Sequence, residues 1–290
     1  MKGLIIKGIG GFYYVDTESG IIEAKGRGIF KKDGITLAVG DVVDIEIIDE
    51  EGKKGVINAI ETRRNKFIRP PIVNVDTFIV TFAATRPKPN FVLVDKFLVM
   101  AEMNNVDAVI CINKCDLADE ETLREYEAIY KDIYPVIAVS AVTGQGIEEL
   151  EKTISGKTVA FAGPSGVGKS TIINAIVPHA NMETGAVSEK TNRGKHTTRH
   201  VEIFKAIGGG RVYDTPGFTS FEILEAEEDN LELYYPDIEA FKGQCYYDDC
   251  RHLKEPDCSV RAAVKAGKIH KLRYESYVAN MEEIKSRRKY

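Results

Sequence analysis

Between Asp41 and Ile48 the apolar residues Val43, Ile45 and Ile47 alternate with Asp44 and Glu46, the period of two that marks a strand with one buried face. Shorter runs near Leu4–Lys7, Phe12–Val15, Ile21–Ala24 and Val56–Ile60 read as strands too, separated by turns rich in Gly and Asp. Five short strands in about 60 residues predict an OB-fold β-barrel over residues 1–66. The basic, proline-ended stretch Arg63–Pro71 suggests an interdomain linker. Beyond it the pattern changes: apolar runs at Thr77–Ala83, Ala108–Ile112 and Val136–Val139 alternate with helical periodicity at Phe91–Met103, Glu120–Tyr130 and Ile147–Ile154. That alternation predicts a parallel sheet with crossover helices. Further strands are expected at Thr158–Phe161, Val201–Ile207 and Arg211–Tyr213, giving a doubly wound α/β domain over 67–223. Residues 224–290 form a third unit, with helices predicted at Val260–Ala266 and Lys271–Lys285.

Composition narrows the class. Of 290 residues 43% are hydrophobic and 29% charged, the balance of a soluble globular protein. No apolar run has membrane-spanning length, and lysines and glycines interrupt Met1–Gly11, so no signal peptide is expected and the cytoplasm is. The net charge of -5 is unevenly spread: Glu222–Glu239 holds eight acidic and no basic residues, whereas Ser259–Tyr290 holds nine basic against three acidic. The basic block fits either a polyanion partner or a solvated helix face. An OB-fold barrel commonly binds oligonucleotides, which points to RNA or nucleoprotein; a barrel used only for protein contacts is the alternative.

The chemistry centres on Gly163-Pro164-Ser165-Gly166-Val167-Gly168-Lys169-Ser170-Thr171, which satisfies G-x-x-x-x-G-K-[ST] between a strand and a helix. Backbone N–H groups of such a loop surround phosphate oxygens, Lys169 reaches the β and γ phosphates, and Ser170 ligates Mg2+. Asn113-Lys114-Cys115-Asp116 forms N-K-x-D at a strand's carboxyl end, where ligands bind in such sheets. A carboxylate at Asp116 accepts from guanine N1–H and its 2-amino group, a donor pair that adenine lacks. Ser140-Ala141 ends the next strand as the companion loop against the base. Asp214-Thr215-Pro216-Gly217 forms D-x-x-G, with Asp214 directed to Mg2+ and the Gly217 N–H to the γ-phosphate. Between these lies Gly185–His200, a switch loop in which Thr197 or Thr198 completes the Mg2+ shell. Phe218 stands where many GTPases carry a water-orienting Gln, which makes His196 the nearest polar candidate for that task; a surface histidine in a basic loop is the alternative. N-K-x-D and S-A precede the phosphate loop, the reverse of the usual GTPase order, so the domain reads as circularly permuted.

Cys245, Cys250, His252 and Cys258 form C-x4-C-x-H-x5-C. Four soft or borderline ligands within 14 residues predict one closed, structural Zn2+ site per chain.

Together these residues resemble the ribosome small subunit-dependent GTPase A family (RsgA/YjeQ) along the whole chain: barrel, Asn113–Asp116 ahead of Gly163–Thr171, then the Cys245–Cys258 segment. The resemblance implies a GTPase that binds GTP/GDP and the small (30S) ribosomal subunit with its rRNA, assists late maturation, and hydrolyses GTP faster on the subunit. A monomer without membrane contact is expected. The rival reading is a GTP-controlled binding module for another RNA or protein.

Overall fold

The computed structural model describes residues 1–32, 34–68, 70–178, 201–214 and 226–287. Strands β1 (Lys2–Ile9), β2 (Phe12–Thr17) and β3 (Gly20–Gly26), a short helix α1 (Gly28–Lys32), and strands β4 (Val42–Asp49) and β5 (Lys54–Ile60) form the N-terminal unit. Their order is β2-β3-β5-β4-β1, and β1 also pairs with β2, so the sheet closes on itself. The β3–β5 pair is parallel and the others antiparallel. In β4, Val43 and Ile45 are buried while Asp44 and Glu46 are exposed, as the alternation requires. Ile5, Val15, Ile22 and Ile57 fill the barrel from the other strands, each worth about 1.5–3 kcal/mol when buried.

Next come β6 (Thr77–Ala83), α2 (Phe91–Met103), β7 (Asp107–Asn113), α3 (Glu120–Tyr130), β8 (Val136–Val139), α4 (Ile147–Ile154), β9 (Thr158–Ala162), α5 (Lys169–Ile176), β10 (Glu202–Lys205) and β11 (Arg211–Asp214). The order is β10-β11-β9-β6-β7-β8, parallel from β11 to β8 and antiparallel at β10–β11. Every residue of β6 is buried, because helices cover both faces. Phe78, Val80 and Phe82 pack toward Val94, Phe97 and Ile129 of α2 and α3. Ile79, Val159 and Phe161 pack toward Leu150, Ile172 and Ile176 of α4 and α5. β10 is shorter than the expected Val201–Ile207, since Gly208 and Gly209 take φ of 79° and 87° and turn the chain; only Gly does so freely.

Two observations add to the sequence reading. Within the expected linker Arg63–Pro71, Arg63 grips buried Asp41 at 2.7 and 2.8 Å, and buried Phe67 meets the ring of Phe78 edge-on at 5.1 Å. The barrel also joins the second sheet, with Lys7 of β1 opposite Glu202 of β10 and their side chains paired at 2.6 Å.

The C-terminal unit contains a 3-10 turn (Leu231–Tyr234), α6 (Pro236–Glu239), α7 (Ser259–Lys265) and α8 (Lys271–Arg287). Part of the acidic stretch and part of the basic block neutralise each other inside it. Arg273 of α8 is 1% exposed and bonds Asp95 of α2 at 2.6 Å and Asp237 of α6 at 2.8 Å. Its guanidinium also lies 4.7 Å from the Tyr235 ring centre. Lys96 pairs with Glu283 beside this cluster, so α8 is docked on α2. No helix among the described residues is long and apolar enough to cross a membrane.

Candidate nucleotide site and metal centre

The phosphate loop joins β9 to α5 at the carboxyl edge of the sheet. Gly163 has φ 142°, and a Cβ there would lie 2.0 Å from the Thr81 carbonyl oxygen of β6; at Gly168, φ 97°, it would lie 2.3 Å from Asn113 Nδ2. These two glycines are required by close approach, not by flexibility alone. Ser165 and Gly166 are exposed, Val167 is buried, and Pro164, Ser170 and Thr171 are partly exposed. Lys169 Nζ donates to the carbonyls of Gly163 and Pro164 at 2.6 and 2.8 Å. Both of these partners are neutral oxygens, and burial lowers its pKa to about 8.

The base motif lies directly alongside. Asn113, 3% exposed, donates from Nδ2 to the Val167 carbonyl at 2.8 Å, while its buried Oδ1 has no partner among the described residues. Lys114, at φ 61°, donates from Nζ to the Gly166 carbonyl at 3.0 Å and to the Arg86 carbonyl at 2.5 Å. Asp116 is exposed on a 3-10 turn, Cys115–Leu117, with its carboxylate available to a ligand edge. Asn113 is opposite Val139 in the β7–β8 pair, which brings Ser140 and Ala141 beside N-K-x-D. Ser140 is fully buried, and its Oγ accepts from the Thr143 N–H at 3.1 Å, which shapes the loop. Burial pushes the Cys111 thiol up to about 12 and raises that of Cys115, so neither is a thiolate nucleophile.

Asp214 ends β11 one position beyond the Tyr213–Ala160 pair, next to the strand that feeds the phosphate loop. His196, Thr197, Thr198, Gly217 and Phe218 lie outside the described residues. The segment Ala84–Asn90 was not singled out from sequence. It leaves β6 between the two motifs: the Ala84 N–H donates to Asn113 O at 2.8 Å, and Pro87 Cδ approaches the Cβ position of Gly166 at 3.9 Å. Its place after a parallel strand was the available signal.

In the C-terminal unit the ligand atoms of Cys245, Cys250, His252 and Cys258 all lie within 4.8 Å of one another. His252 Nδ1 is 3.5, 3.5 and 3.4 Å from the sulfurs of Cys245, Cys250 and Cys258, and the Cys245 and Cys258 sulfurs are 3.9 Å apart. Tetrahedral Zn2+ needs S···N edges of about 3.6 Å and S···S edges of about 3.8 Å, so the donor set fits zinc. His252 takes φ 61°, at a cost of about 1–2 kcal/mol for a non-Gly residue. The Tyr274 hydroxyl supports this conformation by donating to the His252 carbonyl at 2.7 Å.

Comparison with known proteins agrees along the chain. The family model described as RsgA GTPase matches residues 60–224, and that described as RsgA N-terminal domain matches residues 2–57. Small ribosomal subunit biogenesis GTPase RsgA of Alkaliphilus metalliredigens is 49% identical over 290 residues, covering 100% of this chain and 99% of its own. The protein of that name from Caldanaerobacter subterraneus is 44% identical, covering 100% and 97%. Among solved structures, YjeQ from Thermotoga maritima superposes with a TM-score of 0.83 at 37% identity, covering 98% of each chain. YloQ, a circularly permuted GTPase, gives 0.83 at 38% identity, covering 99% of this chain and 95% of its own. With barrel, permuted sheet and Cys/His tail all accounted for in one continuous match, the chain belongs to the RsgA GTPase family.

Proposed function

We propose that this chain binds and hydrolyses GTP to drive a late step in maturation of the small ribosomal subunit, with the subunit stimulating hydrolysis. The observation that carries the reading is the direct bonding of the base motif to the phosphate loop, Asn113 to Val167 and Lys114 to Gly166. It supports a site that grips base and phosphates as one unit, in a chain whose relatives bear the name of small-subunit biogenesis GTPases.

In this reading Asp116 selects guanine, with Asn113, Lys114, Cys115, Ser140 and Ala141 forming the base pocket. The loop Gly163–Thr171 holds the phosphates, and Lys169 leaves its two carbonyl partners for the β and γ oxygens, where its charge stabilises the transferring group. Ser170, Asp214 and Thr197 or Thr198 would hold Mg2+, which neutralises phosphate charge when bound. The Gly217 N–H meets the γ-phosphate, and His196 orients the attacking water. The cysteines at 245, 250 and 258 with His252 hold one Zn2+ that orders the loop-rich C-terminal unit and takes no part in hydrolysis. We assign barrel, GTPase and zinc-binding units to 1–66, 67–223 and 224–290, and place the protein in the cytoplasm as a monomer contacting rRNA.

The deciding measurement is GTP turnover with purified small subunits. Subunits should raise the rate while free RNA does not, and His196→Ala should remove most of the stimulation with little change in GTP affinity. Stimulation by free RNA or an unrelated protein, with none by subunits, would favour the GTP-controlled binding module instead.

A further inference from the structure

We infer that Glu232 is the positioning residue of the metal centre, holding His252 from behind, and that through this contact the bound metal clamps the turn Leu231–Tyr234 onto the C-terminal unit. The inference rests on the reading of Cys245, Cys250, His252 and Cys258 as a zinc site.

His252 is 3% exposed and turns Nδ1 toward all three sulfurs. Its other nitrogen, Nε2, is 2.8 Å from Glu232 Oε2. An imidazole that gives its Nδ1 lone pair to a metal keeps its proton on Nε2, so Nε2–H donates to the carboxylate. Such an acceptor selects the tautomer, stops ring rotation and makes Nδ1 a stronger donor. The Glu232 side chain is itself only 14% exposed, with Oε1 held 3.4 Å from Lys242 Nζ. A loose surface ion pair would show neither this burial nor this two-sided hold.

The contact joins parts of the chain 20 residues apart. Glu232 lies on the turn whose neighbours Leu231 and Tyr235 are fully buried in a core shared with Val99 of α2. Among the described residues, this turn is the first helical element after β11. Metal at His252 therefore fixes the position of the turn Leu231–Tyr234, although none of the four ligands lies on that turn.

The test uses the full chain with zinc and with Co2+ as a spectroscopic probe, comparing the unmodified protein with Glu232→Ala and Glu232→Gln. Competition against a chromogenic chelator should show Glu232→Ala weakened about 10- to 100-fold in zinc affinity. Glu232→Gln should lose less, because its amide oxygen still accepts from Nε2–H; it also serves if the alanine variant folds poorly. All three Co2+ proteins should keep the same tetrahedral three-sulfur, one-nitrogen absorption. Amides of Leu231–Ile238 should exchange faster once zinc is chelated from the unmodified protein, and also in zinc-saturated Glu232→Ala, while those of β7 stay protected. Zinc affinity within twofold of the unmodified protein for Glu232→Ala, or a changed Co2+ spectrum that makes Glu232 a direct ligand, would overturn the role given to Glu232. Failure of the unmodified chain to take up either metal would instead overturn the zinc reading.

Discussion

Asn113 Nδ2 donates to the Val167 carbonyl at 2.8 Å across a separation of 54 residues, tying the base motif to the phosphate loop. Both residues are buried, and the Lys114–Gly166 bond lies beside theirs. The permuted order leaves this contact intact because it depends on strand ends meeting at one sheet edge, not on which end comes first in the chain.

Asn113→Ala should leave the Val167 carbonyl buried without its donor, at a cost of about 1–3 kcal/mol. The expected outcome is a lower unfolding midpoint together with weakened binding of both GTP and GDP. Calorimetry and nucleotide titration on the same preparation check the two parts.

Asp116 is exposed at the end of the same motif, and a charged hydrogen bond contributes about 1.5–3 kcal/mol. Asp116→Asn exchanges one acceptor oxygen for a donor, so GTP affinity should fall about 10- to 100-fold by that measure while xanthosine triphosphate affinity rises. Competition between the two nucleotides reads the switch; an unchanged preference would remove Asp116 from base selection.

Lys169 supplies a pH dependence. Burial holds its pKa down to about 8 in the free protein, and phosphates bind the ammonium form. Binding therefore restores a higher pKa and takes up a proton at alkaline pH. GTP affinity should be flat with respect to this group below pH about 7 and fall by up to about tenfold per unit above pH 8. Calorimetry in buffers of different ionisation enthalpy measures the proton uptake, and Lys169→Arg, which keeps its charge in this range, should bind more weakly with a flat profile.

The buried cluster at α2 and α8 places two carboxylates on one guanidinium. Burial raises the Asp95 pKa to about 6, opposed by Arg273 and aided by Asp237, while burial opposes and Asp95 and Asp237 together outweigh it in raising that of Arg273. Because the folded pKa of Asp95 exceeds its unfolded value of 3.8, its protonation favours the folded state. That contribution is complete below pH about 4 and is lost as pH rises through about 6. Asp95→Asn should remove this part of the pH dependence at little cost at pH 7. Arg273→Met strands both carboxylates and should cost about 3–5 kcal/mol. Denaturant titrations with zinc in excess, from pH 5 to 7.5, separate the variants.

Much of this was legible along the chain. Alternation at Val43, Ile45 and Ile47, and the all-apolar β6, identify strands because a residue's burial depends on which face it occupies, and that face repeats with a local period. The candidate nucleotide and metal ligands could be nominated for a related reason: a phosphate loop and a four-ligand metal knuckle are short, so the geometry they propose is encoded in spacing. Tertiary structure alone decided the rest. The five-residue helix α1 is too short for a period to show. Arg63 and Phe67 read as linker residues because nothing nearby in sequence announces Asp41 or Phe78 as their partners. Glu232 was one member of an acidic run until the fold set it against His252, and Arg273 was one of nine basic residues until Asp95, 178 positions away, met it in the core. Local pattern specifies whether a side chain will be buried; which group it meets there is settled by the packing of distant elements, since a buried charge is tolerated only where the fold brings it a partner.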